Sequence, residues 1–247
     1  MKVVVIDDDP TGSQTVHSCL LLLRWDVEAL RRGLRHGSPL LFVLADTRSL
    51  TPDAAAKRNR EIVTNLEKAL AEEGLDRSEI QLVSRGDSTL RGHGVVEPAV
   101  LESCFGPFAA TFHVPAFLEG GRTTVNGVHL LHGEPVHSTP FAKDRLFGFS
   151  TSDLPHWLEQ KSAGAICAAD VVKVSLEDLD QALTGGMPHM IQRLAALQGN
   201  AAVVVDAEHQ SQLAALAAAV LALKGERRFL FRSAASLVKA LADPGPQ

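Results

Sequence analysis

The chain is short of cysteine, of positive charge and of long apolar runs, and each shortage excludes something. Only three cysteines occur in 247 residues, Cys19, Cys104 and Cys167. They are far apart and odd in number, so they make neither a CxxC metal pair nor a disulfide framework. A reducing compartment and core packing roles are expected for them. Lysine and arginine total 24 against 29 acidic residues, a formal net charge of -5. Nucleic acid is not an expected partner, because phosphate neutralisation needs a basic surface. No stretch approaches the roughly 20 apolar residues of a membrane span, so no membrane partner is expected. Val3 to Ile6 is too short for the apolar region of a signal peptide and runs straight into three aspartates. A cytoplasmic protein is the expectation. What is present is 45% hydrophobic residues and 21% charged ones, which excludes wholesale disorder and can bury a sizeable core.

Short apolar runs alternate with helical stretches. Strands are expected at Val3 to Ile6, Cys19 to Leu23, Leu40 to Leu44, Ile80 to Ser84 and Ala110 to Val114. Further strands are expected at Ala165 to Ala168, Val171 to Val174, Ala201 to Val205 and Phe229 to Phe231. Helices are expected at Asp26 to His36, Thr51 to Glu73, Val95 to Ser103, Leu154 to Lys161, Met187 to Leu197, Gln210 to Leu223 and from Ser233 onward. Thr51-Pro52-Asp53 is a helix start signal with Gly74 as its stop, and Ser175 with Asp178 resembles a capping box. From Pro115 to Phe149 there is no helical period. That stretch reads as loops around a hairpin of Val128 to Leu131 and Glu134 to Val136. The alternation predicts an α/β fold: a mostly parallel sheet with helices on both faces, a Rossmann-like three-layer sandwich. Ligands of such sheets sit at the carboxyl ends of the strands, so polar residues just after strands are the candidates.

Three segments qualify. Asp7-Asp8-Asp9-Pro10-Thr11-Gly12-Ser13 follows the first strand. Adjacent carboxylates repel, so a metal, an arginine or water must offset the cost; an exposed acidic turn is the plainer alternative. Ser84-Arg85-Gly86-Asp87-Ser88-Thr89-Leu90-Arg91-Gly92-His93 follows another strand. Its acid and hydroxyls could bond a polyol while an arginine grips a carboxylate, or Asp87 or Ser88 could simply cap the next helix. Pro115 to Gly127 carries Gly120, Gly121 and Arg122, where backbone could approach an anion, or it is a surface loop. Arg48, in Asp46-Thr47-Arg48-Ser49, is a weaker candidate.

Two hydrolase patterns overlap these segments. Asp7-x-Asp9-x-Thr11 fits the opening of haloacid-dehalogenase-type phosphatases, an aspartate nucleophile beside Mg²⁺, but their later acidic motif is hard to find here. Gly86-Asp87-Ser88 with Asp206 and His209 fits the blocks of GDSL-type hydrolases, though it follows about the fourth strand rather than the first. His129, His132 and His137 lie close in sequence, but the first two would point to opposite faces of a strand, so no metal site is expected.

Taken together, the segments resemble the N-terminal, sugar-binding domain of the four-carbon acid sugar kinase family, the former DUF1537 group. The strand before Asp8-Asp9-Pro10-Thr11-Gly12 resembles that family's opening, and Asp87-Ser88-Thr89-Leu90-Arg91-Gly92 its D-S-T-L-R-G block. Pro115 to Gly127 resembles the third block, with Thr139-x-Phe141-Ala142-x-Asp144 and Val205-Asp206-Ala207 as weaker later ones. His93 stands where most members carry asparagine. The resemblance implies a substrate-binding half of an ATP-dependent kinase acting on a threonate, erythronate or 3-oxo-tetronate. Residues 1–242 would be the sugar-acid domain and 243–247 a linker remnant. ATP and Mg²⁺ would belong to a C-terminal nucleotide-binding domain, with none bound by this chain alone and little activity from it. The implied partners are a small-molecule sugar acid and that second domain, with a homodimer left open. The implied catalytic residues are Asp9 and Asp87. The implied substrate contacts are Asp8, Thr11, Gly12, Arg48, Ser88, Thr89, Arg91, Gly121 and Arg122. A phosphatase-like or GDSL-like hydrolase, or a non-catalytic sugar-acid-binding module, is the alternative.

Overall fold

The computed structural model describes residues 1–11 and 19–242. Eight strands form one sheet. They are β1 (Lys2–Asp7), β2 (Leu20–Leu22), β3 (Leu40–Leu44), β4 (Ile80–Arg85), β5 (Ala110–Val114), β9 (Val172–Val174), β10 (Ala201–Val205) and β11 (Phe229–Ser233). The order across the sheet is β2-β3-β1-β4-β11-β5-β10-β9, and every pairing is parallel. β6 (Arg122–Val125), β7 (Val128–Leu131) and β8 (Glu134–Pro135) form a separate antiparallel sheet.

Side chains alternate across each strand, and that period of two sorts the core into layers. Val4, Ile6, Leu41, Val43, Leu82 and Leu230 face α1 (Val27–Arg35), α2 (Pro52–Glu73) and α3 (Val96–Phe105). Val3, Val5, Phe42, Val83, Phe112 and Phe231 belong to the opposite core. There they meet α5 (Leu176–Gln181), α6 (Met187–Ala195), α7 (Gln210–Ala222) and α8 (Ala235–Ala242). A third cluster packs α4 (Leu154–Lys161) through Trp157 and Leu158 onto Val204, Val136 and Leu90. The expected three layers are present, with helices on both faces.

The local signals act as expected at several ends. Thr51 Oγ1 accepts from Ala54 N at 3.3 Å, Pro52 opens α2, and Gly74 ends it at φ 68°. Ser175 and Asp178 form the reciprocal capping box of α5. Three expectations need correction. Ala165–Ala168 is no strand: the chain leaves α4 through a turn, with Ala163 and Gly164 at φ 52° and 85°, and Ile166 N is taken by Ser162 Oγ. The stretch around Arg122 is not a loop but β6. Asn126-Gly127, at φ 53° and 80°, is a two-residue turn between β-branched runs, the strongest short-range hairpin signal. Cys167 is exposed, so core packing does not apply to it.

Phe112 lies fully buried at mid-sheet, stacked on Phe231 at 5.2 Å and edge-on to Phe229 at 5.3 Å. Phe112→Ala should lower stability by about 3–5 kcal/mol in denaturant titration, the range for emptying a well-packed aromatic site. A loss under about 1 kcal/mol would mean that the strands around it do not form the rigid centre described here.

Candidate functional site

The carboxyl ends of β1, β4 and β11 carry charge just beyond the apolar middle of each strand. Register decides which side each charge takes. Asp7 pairs with Arg85 across β1 and β4, and Ser84 pairs with Arg232 across β4 and β11. Asp7 and Arg85 continue the Val5 and Val83 side, whereas Arg232 and Asp8 continue the Leu230 and Ile6 side, toward α2 and α3.

Asp8 is the centre of the arrangement and is 1% exposed. Its Oδ1 takes Arg48 Nη2 at 2.9 Å and has Arg85 Nη1 at 3.7 Å. Its Oδ2 has Arg232 Nη2 at 3.6 Å and no hydrogen bond. Burial raises the Asp8 carboxyl above its ordinary range against the pull of Arg232 and Arg48. Asp7, equally buried, pairs with Arg85 at 3.3 Å, and burial pushes its carboxyl up to about 7. Asp9 is more open. Burial raises it, but hydrogen bonds from Thr11 and the charge of Arg48, 2.9 Å away, outweigh that and hold it below its usual value.

Asp87 lies across from this group. Its Oδ2 accepts from Arg91 Nε at 2.7 Å and from Thr89 Oγ1, and its Oδ1 accepts from Thr89 N at 3.2 Å. Burial works to raise this carboxyl, but the Thr89 bond and the charges of Arg48 and Arg91 hold it low. Asp9 and Asp87 are therefore ionised acceptors at neutral pH. The Arg91 guanidinium also covers the Phe141 ring at 4.9 Å. The helix-capping alternative for this segment does not hold, since the N-cap of α3 is Val95, which makes no side-chain cap. Leu90 sits at φ 65°, a strained conformation for a branched residue, of the kind that recurs at functional sites. His93 does not face the cluster's acids. Its Nε2 meets the Leu50 carbonyl at 3.0 Å and its ring lies edge-on to Phe147, which ties this segment to the loop carrying Arg48.

The structure thus gathers Asp8, Asp9, Thr11, Arg48, Asp87, Thr89 and Arg91, with Ser88 buried among them. Gly12 lies outside the described residues. Gly121 and Arg122 are engaged elsewhere: Arg122 Nη1 donates to the Gly120 carbonyl at 2.6 Å and lies over Phe117, and Gly121, at φ 71°, packs on His132. Their hairpin reaches the cluster through His129, whose Nε2 donates to the Ser88 carbonyl at 2.7 Å while Nδ1 accepts from Thr124 Oγ1 at 2.9 Å. Burial pushes His129 down to about 4, so it stays neutral in that role. Asp206 holds the hairpin turn by accepting from Asn126 N and Gly127 N at 2.9 and 2.8 Å. Arg85 belongs to the second candidate segment, whereas Glu97 and Arg232 lie outside all three. Glu97 Oε2 accepts from Arg232 Nη1 at 2.5 Å, and its other oxygen meets Thr47 and Asn59.

A pocket of about 350 Å³, counted to its open mouth, lies beside the cluster and includes Asp87, Arg91, His113, Trp157 and Arg232 in its walls. The hydrolase patterns fit this geometry poorly. The Asp7 carboxyl is buried and paired with Arg85, unsuited to nucleophilic attack. Asp206 is spent on the hairpin turn, and His209 caps α7.

Comparison with known proteins gives a consistent result. The model of a family described as "Sugar-binding N-terminal domain" matches residues 3–241. A D-threonate kinase of Cupriavidus necator is 31% identical over 201 residues, covering 81% of this chain and 42% of that protein. A D-erythronate kinase of Heliobacterium modesticaldum is 28% identical over 151 residues, 58% of this chain and 32% of that protein. The chain therefore spans less than half the length of these curated relatives. A solved Bordetella bronchiseptica structure, described as a DUF1537 domain of unknown function with bound citrate and as a domain-swapped dimer, superposes with a TM-score of 0.74. It is 24% identical, and the match covers 98% of this chain and 56% of that one. A DUF1537 protein of Haemophilus influenzae superposes at 0.70 with 18% identity over 97% of this chain and 55% of that one.

The Asp7 geometry gives a pH signature. Its folded carboxyl titrates near 7, above the ordinary value of 3.8, so the folded chain holds this proton over a range where the unfolded chain has lost it. Asp7 therefore subtracts stability as pH rises from about 4 to about 7. Asp7→Asn removes that slope: its stability relative to the unaltered chain should improve steadily across this window in urea titrations. A difference independent of pH would show that Asp7 ionises normally in the fold.

Proposed function

The chain belongs to the sugar-binding N-terminal domain family of the four-carbon acid sugar kinases, and on that premise we propose that it carries the acid-sugar site of such a kinase. One observation carries the reading. Acids and guanidinium groups alternate in a cluster at the carboxyl ends of the central strands, where α/β sheets bind ligands, and Asp87, Arg91 and Arg232 of that cluster line the adjoining pocket. A four-carbon sugar acid offers hydroxyl donors along its length and one carboxylate at its end. Asp8, Asp9 and Asp87 suit the hydroxyls. Arg91, held by Asp87 through Nε only, keeps the outer edge of its fork for the carboxylate, with Ser88 and Thr89 beside it and Arg48 fixing the acids.

Asp9 and Asp87, both held ionised, are the two groups suited to take the proton of the attacking hydroxyl. Phosphoryl transfer otherwise rests on positioning and on charge stabilisation of the phosphate oxygens. The aspartates here are bonded to guanidinium groups, a donor set that suits Mg²⁺ poorly. We assign ATP and Mg²⁺ to a C-terminal nucleotide-binding domain, and no step here runs through them. This assignment is supported by the share of the relatives that the match leaves uncovered.

D-Threonate or D-erythronate, at 100 times its dissociation constant, should stabilise the chain by about 2.7 kcal/mol, a rise of about 5–10 °C in a thermal-shift assay, with no such rise from ATP. Silence from all four-carbon sugar acids would refute the reading. Arg91→Ala should weaken sugar-acid binding by about 1.5–3 kcal/mol in calorimetry, and unchanged affinity would remove Arg91 from the site.

A further inference from the structure

Arg232 stands at the end of β11, between β4 and β5, and is 7% exposed. Its two terminal nitrogens are used unequally. Nη1 donates to Glu97 Oε2 at 2.5 Å and to Ser84 Oγ at 2.8 Å. Nη2 has only an ion pair with Asp8 Oδ2 at 3.6 Å, beyond hydrogen-bond reach. Arg232 is one of three cations around Asp8, and Arg48 and Arg85 meet the other oxygen of that carboxylate. The Nη2 edge of this largely buried guanidinium is thus a cationic donor that no hydrogen bond within the protein takes.

Its surroundings are shaped for it. A Cβ on Gly86 would lie 2.2 Å from Nη2 and 2.4 Å from Cζ, so only glycine admits the guanidinium there. Arg232 and Gly86 both line the pocket that Arg91 also lines. Two other polar groups of that wall, Trp157 and His113, carry no negative charge. Trp157 keeps a buried indole Nε1 with no partner, and His113, pushed down to about 3 by burial and by Arg232, is neutral. Asp87, the one carboxylate in the wall, is already taken by Thr89 and Arg91. Such a wall receives an anion better than a hydroxyl.

We propose that Arg232 is the inner anchor of the bound acid, whose carboxylate lies between the Nη2 edge of Arg232 and the Arg91 guanidinium. Binding of this kind reads the acid end of the ligand from two sides and discriminates against the corresponding polyol, which leaves both guanidinium groups without an anion. The proposal rests on the acid-sugar reading of the same pocket.

The test is a crystal structure of the 247-residue chain with D-threonate, together with calorimetry on the unaltered chain, Arg232→Lys and Arg232→Gln. A carboxylate oxygen should lie within about 3 Å of an Arg232 nitrogen. Arg232→Gln should bind D-threonate about 10–100-fold more weakly, with Arg232→Lys in between. A complex in which the carboxylate touches Arg91 or other groups but not Arg232 would overturn the proposal, and that structure decides even where the glutamine variant does not fold. So would a folded Arg232→Gln chain that binds D-threonate within about twofold of the unaltered one. Failure of the unaltered chain to bind any four-carbon sugar acid would instead sink the acid-sugar reading, and this proposal with it.

Discussion

Asp8 is a carboxylate removed almost wholly from water, and the site is built around the need to keep it satisfied there. Burying one unpaired carboxylate costs several kcal/mol even after relaxation, and removing a partner from a buried pair costs about 3–5 kcal/mol. Arg48, Arg85 and Arg232 answer that demand from three elements, a loop after β3, the end of β4 and the end of β11. Each arginine then needs its own acid. Arg48 takes Asp9, Arg85 takes Asp7 and Arg232 takes Glu97. The cluster closes only when the sheet order is correct, because β1, β4 and β11 become neighbours through the fold and not through sequence.

The backbone bends to the same demand. A Cβ on Gly92, at φ 88°, would approach Asp8 Oδ2 to 2.9 Å, and one on Gly86 would strike Arg232. The two glycines that bracket the Asp87 segment are therefore where that segment lies down over the buried charges. Arg48 N donates to the Asp8 carbonyl at 3.1 Å and His93 bonds the Leu50 carbonyl, so the loops after β3 and β4 are fixed to one another as well as to the acids. His93 thus acts on the framework of the site rather than on its open surface.

Much of this was legible in the sequence, and the reason is physical. A buried parallel strand is a short apolar run, a helix stop is a glycine, and charged residues directly after a strand stand where ligands bind. Those rules placed β1, β3, β4 and α2 within a residue or so and drew attention to the segments that carry Asp8, Asp9, Asp87 and Arg91. Arg232 escaped because Phe229-Leu230-Phe231 reads as the whole strand, and a charged residue inside a central strand looks like its end. Its signal is non-local: Glu97 lies 135 residues away in sequence, and nothing in either segment names the other. β6 was missed for a different reason. Threonines beside glycines read as a loop until Asn126-Gly127 is recognised as a two-residue turn.

The same network explains how an acidic chain can hold an acid. An anion approaching a bare row of aspartates would be repelled, but here the acids are already neutralised by guanidinium groups in fixed geometry. Hydrogen bonds to ionised groups are the strong ones, and fixed partners need no rearrangement when the ligand arrives. Asp9 and Asp87 stay ionised because hydrogen bonds from Thr11 and Thr89, and then the charges of Arg48 and Arg91, hold them so, and they remain acceptors for hydroxyl donors. The guanidinium edges not used on those acids are what remains for a carboxylate. Acceptors and donors are thereby separated across the site, and a ligand that carries its hydroxyls and its anion at matching ends uses both. On the reading proposed for this chain, that separation selects a sugar acid over a sugar or a simple acid, and it follows from ion pairing that the buried aspartate required in the first place.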